Sequence, residues 1–279
     1  RSLDGYGLYP RDATVGGLLG RWQPLEKQHH AGDLRGGCIA LRTATPAGAD
    51  YSYLPAPRKA SGPDSRYLYI GGEAALGVIL EATLVVEPEL PARLVRIEAE
   101  TCAEAVEAYR RVVHFDVDPS WCRWSSAEGG LEVSVRAPEP ILVGWERGMR
   151  SEFDGGPEFL GGEAAAERRR ELEEQHPAAR SSGRAGGTRQ VVWNLADLAE
   201  AVDRLAEGLE EVVVHDWGLH RATAYLIGES DGESDSEESG MRRALSRREV
   251  CDTGDAVWPA WAQELKSRFD PKGGLAVGP

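Results

Sequence analysis

The sequence has no run approaching the ~18–20 apolar residues that a membrane-spanning helix needs, which excludes an integral helical membrane protein. It is poor in positive charge, with 32 Lys and Arg against 46 Asp and Glu and a net charge of −14. Phosphate backbones are bound by basic surfaces, so nucleic acid is excluded as the main partner. Cysteine is scarce. Cys38, Cys102, Cys122 and Cys251 stand far apart and form no CxxC pair, so zinc-ribbon and thioredoxin motifs are absent. Reduced thiols and a cytoplasmic location are the expectation. Neither GxGxxG nor GxxxxGK[ST] occurs, which removes the Rossmann fingerprint and the P-loop. What remains is 279 residues, 41% hydrophobic and 28% charged, the composition of a soluble globular protein with one large domain or two ordinary ones.

Charge is uneven along the chain. Glu229, Asp231, Glu233, Asp235, Glu237 and Glu238 lie in one stretch without Lys or Arg. Residues 228–240 are acidic, Ser-rich and lack apolar anchors, so they read as a solvated loop.

Residues 1–63 read as loops and short strands rich in Gly, Pro and Ala, with Cys38–Ala44 a strand. Asp64–Ile70 reads as a short helical turn, and Val78–Val86, stopped by Pro88 and Pro91, as a strand. A boundary falls near residue 92. Beyond it, Leu94–Ala99 reads as a strand and Thr101–Val113 as a helix opened by the capping-box pair Thr101 and Glu104. Leu131–Val135 and Ile141–Trp145 read as strands, and Gly162–Gln175 as a charged surface helix. Leu195, Leu198, Val202, Leu205 and Leu209 form one apolar stripe on a helix over 194–209. Glu211–His215 and Ala222–Ile227 follow as strands. This split βαβ order predicts an antiparallel sheet with helices on one face over 93–227. A last helix carries Trp258, Trp261 and Leu265 on one side.

Two Gly-rich elements carry possible chemistry: Ala13–Gly17 (ATVGG) and Gly71–Ile79 (GGEAALGVI). Glycines before a strand let backbone approach a bound anion and offer free N–H donors, and they equally build tight turns. In HDWGLH, His215 and His220 follow a strand. The bland reading of His215 is a strand-end residue packed near Trp217. The functional one is a catalytic group facing a substrate or cofactor. Trp121 and Trp124 flank Cys122 and Arg123 and read first as core. His29-His30 reads as an exposed loop pair.

In their order along the chain, ATVGG, GDLR (Gly32–Arg35), PRKASGPD (Pro57–Asp64) and YIGGEAALGVILEATLVVEP (Tyr69–Pro88) resemble the second half of the flavin-binding domain of the vanillyl-alcohol oxidase and p-cresol methylhydroxylase superfamily. SRFDPKGGLAVGP (Ser267–Pro279) resembles its closing helix and turn. Glycolate-oxidase-type subunits and alkyl-dihydroxyacetonephosphate-synthase-like proteins are among the sets it resembles.

The resemblance implies an α+β fold. Residues 1–92 would be a partial p-cresol methylhydroxylase-type FAD-binding domain. Residues 93–257 would be an antiparallel-sheet cap or substrate domain, and 258–279 a helix and tail returning to the first part. It implies FAD as cofactor. Thr14, Gly16 and Gly17 would lie along the diphosphate and ribityl, and Glu73, Leu76, Gly77, Val78 and Ile79 along the adenosine and diphosphate side. His215 would face the isoalloxazine as the catalytic candidate. No metal is implied: the superfamily's GHxGDGNxH spacing is absent, and the five-residue His215–His220 spacing fits zinc poorly.

Three departures stand out. Ala74 occupies a position where the family has Gly, and Ala31-Gly32 replaces Arg-Tyr-Gly. The family's first flavin subdomain has no counterpart in these residues. The expected function is an FAD-dependent oxidation of a 2-hydroxy acid or related alcohol, by this chain or by an enzyme of which it is a subunit. The chain alone is expected to bind FAD weakly or not at all until a partner subunit or the missing segment completes the site. The competing reading is a non-catalytic relative acting as a scaffold or assembly subunit. A metal hydrolase built on HDWGLH comes last.

Overall fold

A computed structural model describes residues 8–20, 34–46, 48, 50–53, 64–72, 74, 76–86, 88–115, 117–153, 155–177, 188–205, 209–215, 217 and 221–227. His29, His30, Glu73, His220, the acidic stretch 228–240 and the segment 258–279 lie outside the described residues.

The first part opens with a short helix, α1 (Val15–Gly20), and a single helical turn, α2 (Leu34–Gly37). Three strands follow: β1 (Cys38–Ala44), β2 (Asp50–Tyr53) and β3 (Val78–Leu84). They form an antiparallel sheet in the order β2-β1-β3. Between β2 and β3 a 3-10 turn, Ser65–Leu68, is capped by Asp64, whose carboxylate accepts the Arg66 N–H at 3.1 Å. Arg66 is buried, donates to both Asp64 oxygens from Nε at 2.9 and 3.0 Å, and donates through Nη1 to the Cys38 carbonyl. This anchors the turn to β1 and positions the Gly-rich segment that follows.

The second part is a seven-stranded sheet whose neighbours are all antiparallel. Its elements are β4 (Ala92–Glu98), α3 (Cys102–Val112), β5 (Pro119–Ser125), β6 (Gly130–Arg136), α4 (Glu139–Glu152), β7 (Glu158–Gly161), α5 (Gly162–Glu174), β8 (Thr188–Asn194), α6 (Leu195–Leu205), β9 (Glu211–His215) and β10 (Arg221–Ile227). The strand order is β7-β4-β6-β5-β9-β10-β8. The units β4-α3-β5-β6 and β8-α6-β9-β10 therefore repeat one plan, outer strand, helix, inner strand, middle strand, and meet at β5 and β9.

Alternation separates the two faces. Val95, Ile97, Cys122, Trp124, Leu131, Val133, Val135, Val212, Val214, Ala222, Ala224 and Leu226 point to one side and form the main core with α3, α4 and α6. The capping box at α3 is present: Thr101 Oγ1 accepts the Glu104 N–H at 3.2 Å and Glu104 Oε2 accepts the Thr101 N–H at 3.1 Å. Cys38, Cys102 and Cys122 are buried free thiols, and burial pushes the Cys102 thiol up to about 12.

Three expectations need correction. Ile141–Trp145 is not a strand but the first half of α4. Prolines at its start favour helix initiation, and Leu142, Trp145 and Met149 are buried at helical spacing while Ile141 and Val143 face outward. Those two exposed β-branched residues made the run look like a strand. The segment 119–125, treated only as a Trp pair, is a full strand, as are 158–161 and 188–194. The helix 162–174 is not simply a surface helix: Ala165 and Leu172 are buried with Leu8, Leu94 and Trp121 on the sheet's second face. There the Arg11 N–H donates to the Glu173 carbonyl at 3.2 Å, joining the segment before α1 to the end of α5.

Candidate functional site

The two Gly-rich elements meet. ATVGG is not an open loop: Thr14 caps α1, with its Oγ1 accepting the Gly17 N–H at 3.0 Å and its carbonyl the Leu18 N–H at 2.9 Å. The helix packs on β3 so that a Cβ on Gly16 would lie 3.4 Å from the Ile79 carbonyl oxygen, an ordinary contact distance. The Leu19 carbonyl accepts the Gly71 N–H at 2.8 Å, tying the end of α1 to the second Gly-rich segment. Leu76 is buried with Leu19, Cys38, Leu41, Tyr69 and Ile70, and Ile79 packs against the same cluster. Val78 and Leu80 stay exposed. Thr14, Gly16, Gly17, Leu76, Gly77, Val78 and Ile79 thus gather around one end of the small sheet.

Gly77 has a local explanation. A Cβ there would sit 2.7 Å from the Ala44 carbonyl oxygen and 3.1 Å from Tyr69 Cε1. A Gly77→Val variant therefore reports on the packing of this turn rather than on cofactor contact. Ala74 has φ 61°, in the left-handed region that disfavours a Cβ. This explains why glycine suits the position, and it makes Ala74→Gly a stabilising change. We expect a gain of about 1 kcal/mol, read as a higher urea midpoint at unchanged slope. A lower midpoint would show that the turn is not strained.

The second face of the large sheet carries buried charge beside its smaller apolar clusters. Arg123 and Glu132 point to it and are nearly fully buried. Arg123 reaches Glu128 at 3.0 Å, Glu132 at 3.3 Å and Glu211 at 3.8 Å. From α5, Arg168 reaches Glu132 at 2.7 Å, Glu128 at 2.5 Å and Glu171 at 3.3 Å. Ser125 Oγ donates to Glu211 at 2.6 Å. Burial alone would raise the Glu128 carboxyl, but the Arg123 and Arg168 guanidiniums outweigh it and hold it below the ordinary value. Burial would likewise lower Arg168, and its contacts to Glu132 and Glu128 more than reverse this.

His215 faces the same side. It is 1% exposed and neither ring nitrogen has a hydrogen-bond partner among the described residues. It does not pack near Trp217, which turns to the helical face, lies tilted against Tyr109 at 5.1 Å and 47° and donates Nε1–H to the Val214 carbonyl at 3.0 Å. His215 instead stacks on His176 at 4.7 Å and 24°, and Tyr225 stands edge-on to both rings. Burial, then the neighbouring His176 and Arg123, pushes its imidazole well below the ordinary 6.5, so it is neutral. Among the described residues no group of three or more His, Cys, Asp or Glu is placed to hold a metal ion. None of their helices is long and apolar enough to cross a membrane.

Glu132, Arg168, His176 and Tyr225 were not singled out in the sequence, and Arg123 was noted only as a neighbour of two tryptophans. A signal was present in PSWCRWS and GLEVSVR. Arg123 and Glu132 recur at strand period between apolar residues, which marks charge on the second face of a sheet.

No protein-family profile matches the chain. Two solved structures of alkyldihydroxyacetonephosphate synthase, in crystal forms P212121 and P1, are similar with TM-scores of 0.63 and 0.60 and 15% identity. Each match covers 95% of this chain and 58% of the solved one, so the chain spans less than two thirds of the enzyme's length. At 15% identity the likeness is one of fold: the chain shares, over nearly all its length, the fold of alkyldihydroxyacetonephosphate synthase.

Proposed function

We propose that the chain forms the flavin-facing part of an FAD-dependent oxidoreductase acting on a 2-hydroxy acid or related alcohol. The observation that carries this reading is the meeting of the two Gly-rich elements, with Gly16 of α1 against Ile79 of β3. Two arguments support it. The ordered motifs resemble the flavin-binding superfamily, and the fold is like that of a synthase whose relatives those motifs also resemble.

The residues present fit such a group. At the junction a Cβ on Gly16 would close the gap between α1 and the Ile79 carbonyl, and at His215 a buried imidazole has no hydrogen-bond partner for either ring nitrogen among the described residues. Thr14, Gly16 and Gly17 on one side and Leu76–Ile79 on the other would hold the diphosphate side, with Glu73 adjoining in sequence. A bound flavin supplies the hydride-accepting chemistry. The chain's own contribution is His215, whose neutral ring nitrogen can take the proton of a substrate hydroxyl. The site is completed by a further segment, in cis or from a partner subunit.

Ala74 favours the second reading, a non-catalytic relative serving as scaffold, because a Cβ at φ 61° stands where the superfamily has glycine. A titration followed by flavin fluorescence separates the two. The chain alone should bind FAD weakly or not at all, and supplying the complementary segment should restore binding. Gly16→Ala should then weaken binding about tenfold or more while leaving the fold intact. A reconstituted protein that stays colourless would favour the scaffold. Unchanged affinity in the Gly16→Ala variant would remove the diphosphate from this junction.

A further inference from the structure

The pairing of His176 with His215 goes beyond that reading while resting on it for the role of His215. The two residues reach each other from different elements, His215 from the end of β9 and His176 from just beyond α5. His176 is 3% exposed, and Tyr225, on β10, is 1% exposed and stands T-shaped to both rings at 5.6 and 5.8 Å. Because no hydrogen bond to a described residue fixes the His215 nitrogens, the plane of its ring is set by these two aromatic walls. A phenyl ring would fill the same space without burying two polar nitrogens that no described residue satisfies. The imidazole is therefore a poor choice as core filler and a good one as a group that meets a ligand.

We propose that His176 is a positioning residue for His215: the stacked imidazoles act as one pair that carries at most one proton, and the stack holds a His215 ring nitrogen toward a substrate on the polar face. Two imidazolium charges at 4.7 Å repel in a buried site, so protonation of one ring opposes protonation of the other. Among the described residues the other groups facing the pair are Arg123 from β5, which also disfavours a proton on His215, and the Tyr225 phenol from β10.

The test needs neither flavin nor substrate. In the full chain labelled with 15N at histidine, the ring signals of His176 and His215 should titrate as a coupled pair. His176→Phe keeps a stacked ring and should raise the His215 midpoint by about half a pH unit or more, a threefold gain in proton affinity, and change its tautomer signal. Should that variant fail to fold, His215→Phe gives the reciprocal reading, because the same coupling must raise the His176 midpoint by the same amount. A folded variant of either kind that leaves the remaining histidine unmoved overturns the proposal. Failure of the FAD titration would remove the flavin reading and leave this coupling measurable.

Discussion

Glu132→Gln should destabilise the protein by about 3 kcal/mol or more, the range seen when one partner of a buried ion pair is removed. Glu132 lies on the polar face with its side chain 3% exposed, between Arg123 and Arg168. Its loss leaves two guanidiniums sharing Glu128, and it loosens the main polar tie between α5 and the sheet. For a domain of this size the melting midpoint should fall by roughly 6–12 °C. Glu171→Gln is the control. It also pairs with Arg168 but is half exposed, so it should shift stability by about 0.5 kcal/mol at most. Equal effects of the two changes in urea unfolding would show that burial does not set the strength of this network.

Acid should weaken the fold well before carboxylates titrate. His215 is kept neutral in the folded chain, first by burial and then by His176 and Arg123, whereas its unfolded value is the ordinary 6.5. Below 6.5 the unfolded chain binds a proton that the folded chain refuses, so stability falls as pH falls. The slope reaches about 1.4 kcal/mol per pH unit. Glu128 works in the same direction but later, because its lowered folded carboxyl removes stability only below its ordinary 4.5. The window between 6.5 and 4.5 therefore belongs to His215 rather than to the carboxylate. Between pH 7 and 5 the native protein should lose about 2 kcal/mol, and His215→Phe should lose clearly less. Parallel stability curves for the two proteins would show that His215 protonates freely in the fold.

Local signals in the sequence were reliable, and non-local ones were not. The Thr101–Glu104 capping box and the buried stripe Leu195, Leu198 and Val202 are each set by neighbours within a few residues, and both were legible. The strands β1, β3, β9 and β10 were legible from apolar runs bounded by turn residues. Helix α4 was not, because its exposed Ile141 and Val143 carry strand-like chemistry on a solvent face. Strand β5 was hidden by its mixture of Pro, Ser, Arg and Trp. Its two faces serve different layers, and only the partner strands reveal which residue belongs to which. The polar face escaped for the same reason. Glu132 meets Arg168 across 36 residues of sequence, and His176 meets His215 only once α5 and β9 are in place. Of the proposed cofactor residues, the glycines were legible as glycines. Their reasons were not: Gly77 is required by the Ala44 carbonyl and Tyr69, and the Ala74 position by its φ.

The repeated plan of the large sheet has a mechanical consequence. Its two halves are joined by the pairs Trp124–Val214 and Ser125–Val213, extended by the Ser126 N–H to the Val212 carbonyl and the Val212 N–H to Ser126 Oγ. Within each half the ladders run for four to seven pairs. On the apolar side α3 packs against α6 across the join, so that side is stapled. On the polar side the ties across the join among the described residues are side chains: Arg123 and Ser125 to Glu211, and His176 stacked on His215. Flexing concentrated at this two-pair ladder would strain the Glu211 contacts and the His215–His176 stack together, while leaving the longer ladders of either half intact.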